Sequence, residues 1–85
     1  MEGCETIVFG NSEYDCAGCF YDPSMDVLYI TLANVTVGEA AQIFGDSTKT
    51  STITHNSDTF SGYTDLRMLT VHPYGIQATL KRSNA

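Results

Sequence analysis

Basic residues are scarce in this sequence, and the first 26 positions contain none. Four Lys and Arg residues oppose ten Asp and Glu residues, which gives a formal net charge of −6. Residues 1–26 carry six of these carboxylates, whereas residues 27–85 are electrically balanced. Because summed local charge steers association, this acidic end repels nucleic acid and anionic lipid and favours a basic protein partner. The alternative interpretation is a solvated surface that only aids solubility.

Long apolar runs are also missing. No stretch approaches the roughly 20 apolar residues that cross a bilayer, and the first residues lack the positive start and apolar middle of a signal peptide. The three cysteines are an odd number, which argues against the disulfide framework of a small secreted protein. We therefore expect a soluble protein that works in the cytoplasm and does not bind membranes.

Signatures of catalysis are absent from the sequence as well. There is no Gly-x-Ser-x-Gly elbow, and neither Gly38 nor Gly45 belongs to a phosphate-binding loop. The carboxylates lie mostly in predicted loops, where no acid and base pair can be assigned. A chain of 85 residues forms one domain with a modest core. The sequence thus predicts a protein that is not an enzyme and needs no cofactor.

The segment Asp-Cys-Ala-Gly-Cys-Phe at residues 15–20 contains two thiols at a spacing found in zinc and redox sites. A structural zinc site usually needs four ligands, and Cys16 and Cys19 supply only two. The remaining candidate ligands are Cys4, His55 and His72. A redox pair needs an activated thiolate, whereas the neighbouring Asp15 and Asp22 raise the pKa of a thiol. We predict ordinary half-buried thiols in an irregular loop, with zinc binding at Cys16, Cys19 and Cys4 as the weaker hypothesis.

The first half of the chain shows one clear strand and one clear helix start. Apolar residues alternate over 27–33, as in a strand with one buried face, and a shorter strand is predicted at 6–9. Between them, residues 10–26 are polar and rich in turn formers, so we predict an irregular acidic loop or hairpin. The Thr36-Val-Gly-Glu39 motif matches a capping box that begins a helix, and Gly45 is predicted to end it in the left-handed conformation.

The second half has the pattern of two hairpins. The first joins residues 51–55 to 59–63, and the second joins 66–72 to 76–82 through a turn at His72-Pro-Tyr-Gly75. The resulting order β-β-α-β-β-β-β predicts a single α+β domain over residues 1–85. We expect a small antiparallel sheet of about five to six strands, flat or curled into a half-barrel, with one short helix packed on one face. Residues 83–85 are predicted to form a frayed tail.

Two adjacent aromatic residues, Phe20 and Tyr21, lie within the acidic segment. Exposed aromatics with a charged rim are typical of interface anchors. The predicted partner-binding residues are accordingly Glu13, Asp15, Phe20, Tyr21, Asp22 and Asp26. The alternative interpretation is that the two aromatics cover one end of a small core.

The run VTVGEAAQIFGDSTKTSTITHNSDTFSGYTDL, residues 35–66, resembles small uncharacterised proteins encoded by phages and prophages of Gram-positive bacteria. In those proteins a capped helix that ends in Phe-Gly-Asp is followed by a Phe-x-Gly-Tyr-Thr strand. The resemblance covers the middle third of the chain and includes no catalytic signature. It implies a mobile-element protein that works by binding, either as a virion or tail component or as an inhibitor of a host defence system.

Together these patterns predict a non-enzymatic, phage-derived module that binds a basic protein surface through its acidic segment. Inhibition of a nucleic-acid-binding defence protein fits this charge, since the module would occupy the basic groove without binding nucleic acid itself. The alternative is a structural virion or tail subunit that assembles with identical copies through sheet edges. A small zinc protein with Cys and His ligands is the third hypothesis. The expected location is the host cytoplasm or the virion.

Overall fold

The computed structural model describes residues 5–83, which form one antiparallel sheet of seven strands with two short helices. The elements in chain order are β1 (Glu5–Phe9), β2 (Ser12–Asp22), β3 (Val27–Leu32), α1 (Val37–Gly45), α2 (Ser47–Thr50), β4 (Thr52–His55), β5 (Asp58–Ser61), β6 (Asp65–His72) and β7 (Gly75–Lys81). Their order across the sheet is β5-β4-β1-β2-β3-β7-β6. The predicted α+β class with a small antiparallel sheet is confirmed, although the described residues contain one more strand and one more helix than predicted.

Strand β2 accounts for the additional strand. The irregular loop or hairpin predicted at residues 10–26 is instead an eleven-residue strand between two turns. It pairs with β1 over residues 12–16 and with β3 over residues 16–22. Its polar residues are compatible with a strand because one face of an antiparallel sheet can remain in water. The regular alternation that would have indicated a strand is interrupted by a bulge between Cys16 and Gly18.

The capping box at the start of α1 is confirmed. The Glu39 amide donates to Thr36 Oγ1 at 3.1 Å, and the Thr36 amide donates to Glu39 Oε1 at 2.8 Å. The prediction that Gly45 ends the helix in the left-handed conformation is wrong, because α1 includes Gly45 and its C-cap is Asp46 in an extended conformation. Asp46 also caps α2, since its Oδ1 accepts from the Thr48 amide at 3.0 Å. One residue therefore ends one helix and begins the next.

The core lies between the inward face of the sheet and α1, which contacts β6 and β7. The Phe44 ring of α1 lies 5.4 Å from the Phe9 ring of β1, measured between centroids. The completely buried apolar residues are Ile7, Phe9, Leu28, Ile30, Leu32, Ala40, Phe44, Ile53, Ala78 and Leu80. Within the part of the chain that is described, no helix has the length and apolar composition that a membrane crossing requires.

The sheet is strongly curled. Strands β2 and β5 are separated by β1 and β4 in the sheet, yet the Tyr21 and Phe60 rings lie 5.9 Å apart. The Ser83 amide donates to the Gly62 carbonyl at 2.9 Å, which joins the chain after β7 to the chain after β5. The two ends of the sheet thus approach each other around the inward face. Apart from Ser83, the predicted frayed tail lies outside the described residues.

Candidate functional site

Four of the six predicted partner-binding residues share the outward face of β2. Glu13 and Asp15 alternate with the inward-facing Tyr14 and Cys16 before the bulge. After the bulge, Phe20 pairs with Tyr29 and Asp22 pairs with Val27, on the side opposite to Cys19 and Tyr21. We call this surface the acidic face; it consists of Glu13, Asp15, Phe20 and Asp22.

The aromatic residue of the acidic face is well exposed and held in place. The Phe20 side chain is 63% exposed, and its ring stacks on Tyr29 at a centroid distance of 6.1 Å and an interplanar angle of 27°. Tyr29 pairs with Thr79, and Thr79 pairs with the exposed Met68. A row of paired side chains, Phe20, Tyr29, Thr79 and Met68, therefore runs from the acidic face across β3 and β7 to β6.

Two carboxylates of the acidic face are oriented by uncharged donors. Asp15 Oδ2 accepts from the Asn34 amide nitrogen at 2.9 Å. Asp22 Oδ1 accepts from the Ser24 backbone amide at 3.0 Å and from the Ser24 hydroxyl at 2.7 Å. Since these donors are neutral, the hydrogen bonds restrict the carboxylates without cancelling their negative charge.

The other two predicted partner-binding residues, Tyr21 and Asp26, belong to a different constellation. Tyr21 and Tyr63 both donate their hydroxyls to Asp26 Oδ1, the former at 2.8 Å, and Arg82 Nε donates to Asp26 Oδ2 at 2.9 Å. Hydrogen bonds from Arg82, Tyr63 and Tyr21 hold the pKa of Asp26 well below its usual range. Because Asp26 forms an ion pair with Arg82 of the same chain, we do not assign it to the acidic face. We call these four residues the Asp26 clamp.

The two thiols lie on the same face because of the bulge. Cys16 pairs with Leu32 and Cys19 pairs with Ile30, so a separation of three residues on β2 matches a separation of two on β3. Successive residues of a strand point to opposite faces, so a regular strand would separate the two thiols. The extra residue in the bulge turns both inward. The predicted irregular loop around the Cys-x-x-Cys segment is thus a bulged strand.

The environment of the thiols disfavours nucleophilic chemistry. Cys16 is 2% exposed, and its thiol donates to the Gly18 carbonyl at 3.2 Å. Burial, together with the charge of Glu5, raises the pKa of Cys16. Burial, with smaller effects of Cys16, Glu5 and Asp58, raises the pKa of Cys19 to about 12. Both thiols are therefore protonated near neutral pH, whereas the thiolate is the reactive form.

The structure brings one predicted metal ligand close to Cys16 and adds another that the sequence did not indicate. His55 of β4 and Glu5 of β1 each place a ligand atom within 4.8 Å of Cys16 Sγ and of each other. His72 instead hydrogen-bonds to Gln77 and stacks on Tyr74. Cys4 lies outside the described residues. The one sequence signal for Glu5 as a candidate ligand is the alternation of residues 5, 7 and 9. This alternation puts Glu5 on the inward face with Ile7 and Phe9.

Comparison of the chain with protein-family models, with curated proteins and with solved structures found no match. The phage resemblance of residues 35–66 stays a prediction.

Proposed function

We propose that this protein is a non-enzymatic binding module whose acidic face docks against a basic protein surface. The observation that supports this function is the placement of three carboxylates and one exposed aromatic ring on one side of a single strand. Charge complementarity of this kind orients a partner and accelerates its association. An exposed aromatic beside the charges supplies the apolar anchor that charged contacts lack.

The rigidity of β2 also supports binding. Each part of the strand is hydrogen-bonded to a neighbour, to β1 over residues 12–16 and to β3 over residues 16–22. Phe20 is further restrained by its stacking on Tyr29. A surface that is ordered before binding loses little conformational entropy in the complex, so more of the interaction energy appears as affinity.

The partner class that fits the acidic face best is a protein that itself binds nucleic acid. Such a protein presents closely spaced Lys and Arg residues to phosphates, and carboxylates on a strand can occupy the same groove. The phage resemblance agrees with this partner class, since an inhibitor of a host defence protein would work in this way.

Assembly through sheet edges is less well supported. The edge strand β5 has four residues, and the other edge strand, β6, is interrupted by a bulge between Leu66 and Met68. Arg67, the unpaired residue of that bulge, forms an ion pair with Asp65 at 2.8 Å. Short, bulged and charged edges hinder the addition of further strands. These features favour binding by a sheet face over assembly by strand pairing.

The test compares two double variants that remove the same amount of charge. Glu13→Gln with Asp15→Asn removes two of the three carboxylates of the acidic face, whereas Glu39→Gln with Asp58→Asn removes two carboxylates outside it. Gln is able to replace Glu in the capping box, so the control keeps its helix start. Each protein is immobilised and exposed to a lysate of Gram-positive cells. We expect a basic protein to be retained by the wild type and the control but not by the acidic-face variant.

Salt provides the second criterion. The Debye length falls from about 10 Å at 0.1 M salt to about 3 Å at 1 M, so a partner bound through the acidic face is expected to elute over this range. The proposal would be contradicted if both double variants retained the basic protein equally, or if its retention did not change with salt concentration. Self-association of the pure protein that persists in high salt would instead support assembly through edges.

A further inference from the structure

Three side chains of different chemistry converge on the inward face where β4, β1 and β2 lie side by side. Glu5 faces Cys16 across the β1–β2 pair, and His55 faces Ile7 across the β1–β4 pair, so His55 is diagonal to Glu5. His55 Nε2 lies 2.8 Å from Glu5 Oε1. All three residues belong to strands, which position side chains more rigidly than loops do.

We infer that Glu5, Cys16 and His55 bind a divalent transition-metal ion of the zinc type. Carboxylate oxygen, thiolate sulfur and imidazole nitrogen are the three ligand types that zinc uses in proteins. A thiolate selects zinc over calcium and magnesium, which require oxygen ligands. The two negative charges of the carboxylate and the thiolate balance the charge of the ion.

The distances require only a small closing movement. The three ligand atoms lie within 4.8 Å of one another, and zinc holds its ligands at about 2.0–2.3 Å. The His55 side chain is 12% exposed and Cys16 is buried, so these two have little room to move, whereas the Glu5 side chain is 54% exposed and is held only by its hydrogen bond to His55. The exposed carboxylate also leaves a path by which the ion enters from solvent.

Binding exchanges protons for the metal. The Cys16 thiol, which donates to the Gly18 carbonyl, loses its proton when sulfur bonds to the ion. The hydrogen bond between Glu5 and His55 is replaced by two bonds to the ion, and any proton on the imidazole Nε2 passes to solvent. Cys19 occupies the next inward position of β2 after the bulge but lies outside the group of three whose ligand atoms are within 4.8 Å of one another, so its part in binding is tested separately.

The experiment uses the full chain, kept reduced and stripped of metal with a chelator. Titration with Co²⁺ is expected to give one ion per chain, with the thiolate-to-metal absorption and the intense visible bands of a tetrahedral site. Displacement by Zn²⁺ then gives the zinc affinity. Loss of a residue that only supports a ligand already costs about 10–100-fold in metal affinity, so Glu5→Gln, Cys16→Ala and His55→Gln should each cost about 100-fold or more.

Two controls keep the result interpretable. His72→Gln changes the other histidine of the chain and is expected to bind zinc like the wild type. Glu5→Gln alters an exposed side chain, so its loss of affinity is not explained by failure to fold, which circular dichroism checks for every variant. Cys19→Ser decides the remaining coordination position: weaker binding makes Cys19 the fourth ligand, and unchanged binding assigns that position to water.

The inference is overturned by a wild-type protein that shows no tetrahedral Co²⁺ spectrum. It is equally overturned if the Glu5→Gln and His55→Gln variants bind zinc as tightly as the wild type. Neither outcome affects the acidic face, which lies on the opposite side of β2.

Discussion

The Arg82 guanidinium donates from Nε to Asp26 Oδ2 at 2.9 Å and thereby joins two residues 56 positions apart. The same side chain donates to the Tyr63 hydroxyl at 2.8 Å and lies over the Tyr63 ring, 4.7 Å from its centroid. A third nitrogen donates to the Ser61 carbonyl at 3.2 Å. The Asp26 clamp thus connects the β2–β3 turn, the segment after β5 and the end of β7, and it keeps the sheet curled.

Because of the clamp, the free energy of unfolding is expected to decrease at low pH. The pKa of Asp26 is lowered in the folded state, chiefly by Arg82, so the ionised carboxylate stabilises the fold above its unfolded pKa of 3.8. This stabilisation is lost as the pH falls through the folded pKa. Asp26→Asn should therefore be less stable than the wild type near neutral pH, with a difference that shrinks in acid.

The measurement is the free energy of unfolding in urea at a series of pH values. Asn tolerates the left-handed conformation of residue 26, where φ is 53°, so the variant keeps the backbone of the turn. Asp46, whose pKa is lowered by hydrogen bonds from Thr48, will still make the variant acid-sensitive. The unfolding free energies of the two proteins are then plotted against pH. If the two curves stay parallel down to the lowest pH, Asp26 does not stabilise the fold through its charge.

The hydroxyl of Tyr63 is expected to contribute measurably to stability. Tyr63 is almost fully buried and donates to Asp26 while it accepts from Arg82. Tyr63→Phe should lower the free energy of unfolding by about 1 kcal/mol, the usual net worth of an intramolecular hydrogen bond. Tyr74→Phe is the matched control, because Tyr74 is exposed, and its effect should stay within about 0.5 kcal/mol. Equal effects of the two changes would contradict the clamp.

The backbone packs so closely around Gly75 that it leaves no room for a side chain. A Cβ atom at this position would collide with the Leu32 carbonyl and lie 3.0 Å from Thr31 Cγ2. Gly75→Ala should therefore destabilise the protein by about 1–3 kcal/mol, as overpacking usually does. At Gly18, in the β2 bulge, a Cβ atom would meet nothing within 4 Å, so Gly18→Ala serves as the control and should be nearly neutral. Thermal unfolding of both variants checks the difference.

Phe20 is expected to matter for binding and not for folding. Its side chain is mostly exposed, so Phe20→Ala should change the free energy of unfolding by no more than about 0.5 kcal/mol. Loss of an aromatic anchor should nevertheless weaken retention of the basic partner, by about 2 kcal/mol if Phe20 is a hot spot. Val71→Ala removes an equally exposed apolar side chain from β6 and should leave retention unchanged. Comparable losses in both variants would indicate nonspecific apolar adhesion.

Local sequence signals predicted the elements whose determinants lie within a few residues. The capping box between Thr36 and Glu39 predicted the start of α1, and the alternation over residues 76–82 predicted β7. The turn before Gly75 was predicted in the same way. The α1 cap and the β6–β7 hairpin both consist of contacts between neighbours in the chain.

Features that depend on distant contacts or on a broken pattern were missed. Strand β2 was mistaken for a loop because its outward face is polar and its bulge interrupts the alternation. The Asp26 clamp was not predicted because the contact of Asp26 with Tyr63, 37 positions away, leaves no trace in the local sequence. The proximity of Glu5 to His55 was also missed, since it arises from the pairing of β1 with β4.

The span of the Asp26 clamp has a consequence for the order in which the protein folds. Hairpins such as β1–β2 and β2–β3 join neighbouring segments and need only short loops to close. The clamp, in contrast, requires Arg82, so it forms only after synthesis has passed β7. Until then the rings of Tyr21, Phe60 and Tyr63 lack the contact that closes the sheet over them. The two ends of the curled sheet are thus joined by contacts between residues far apart in the chain. These contacts should form late in folding and limit its rate.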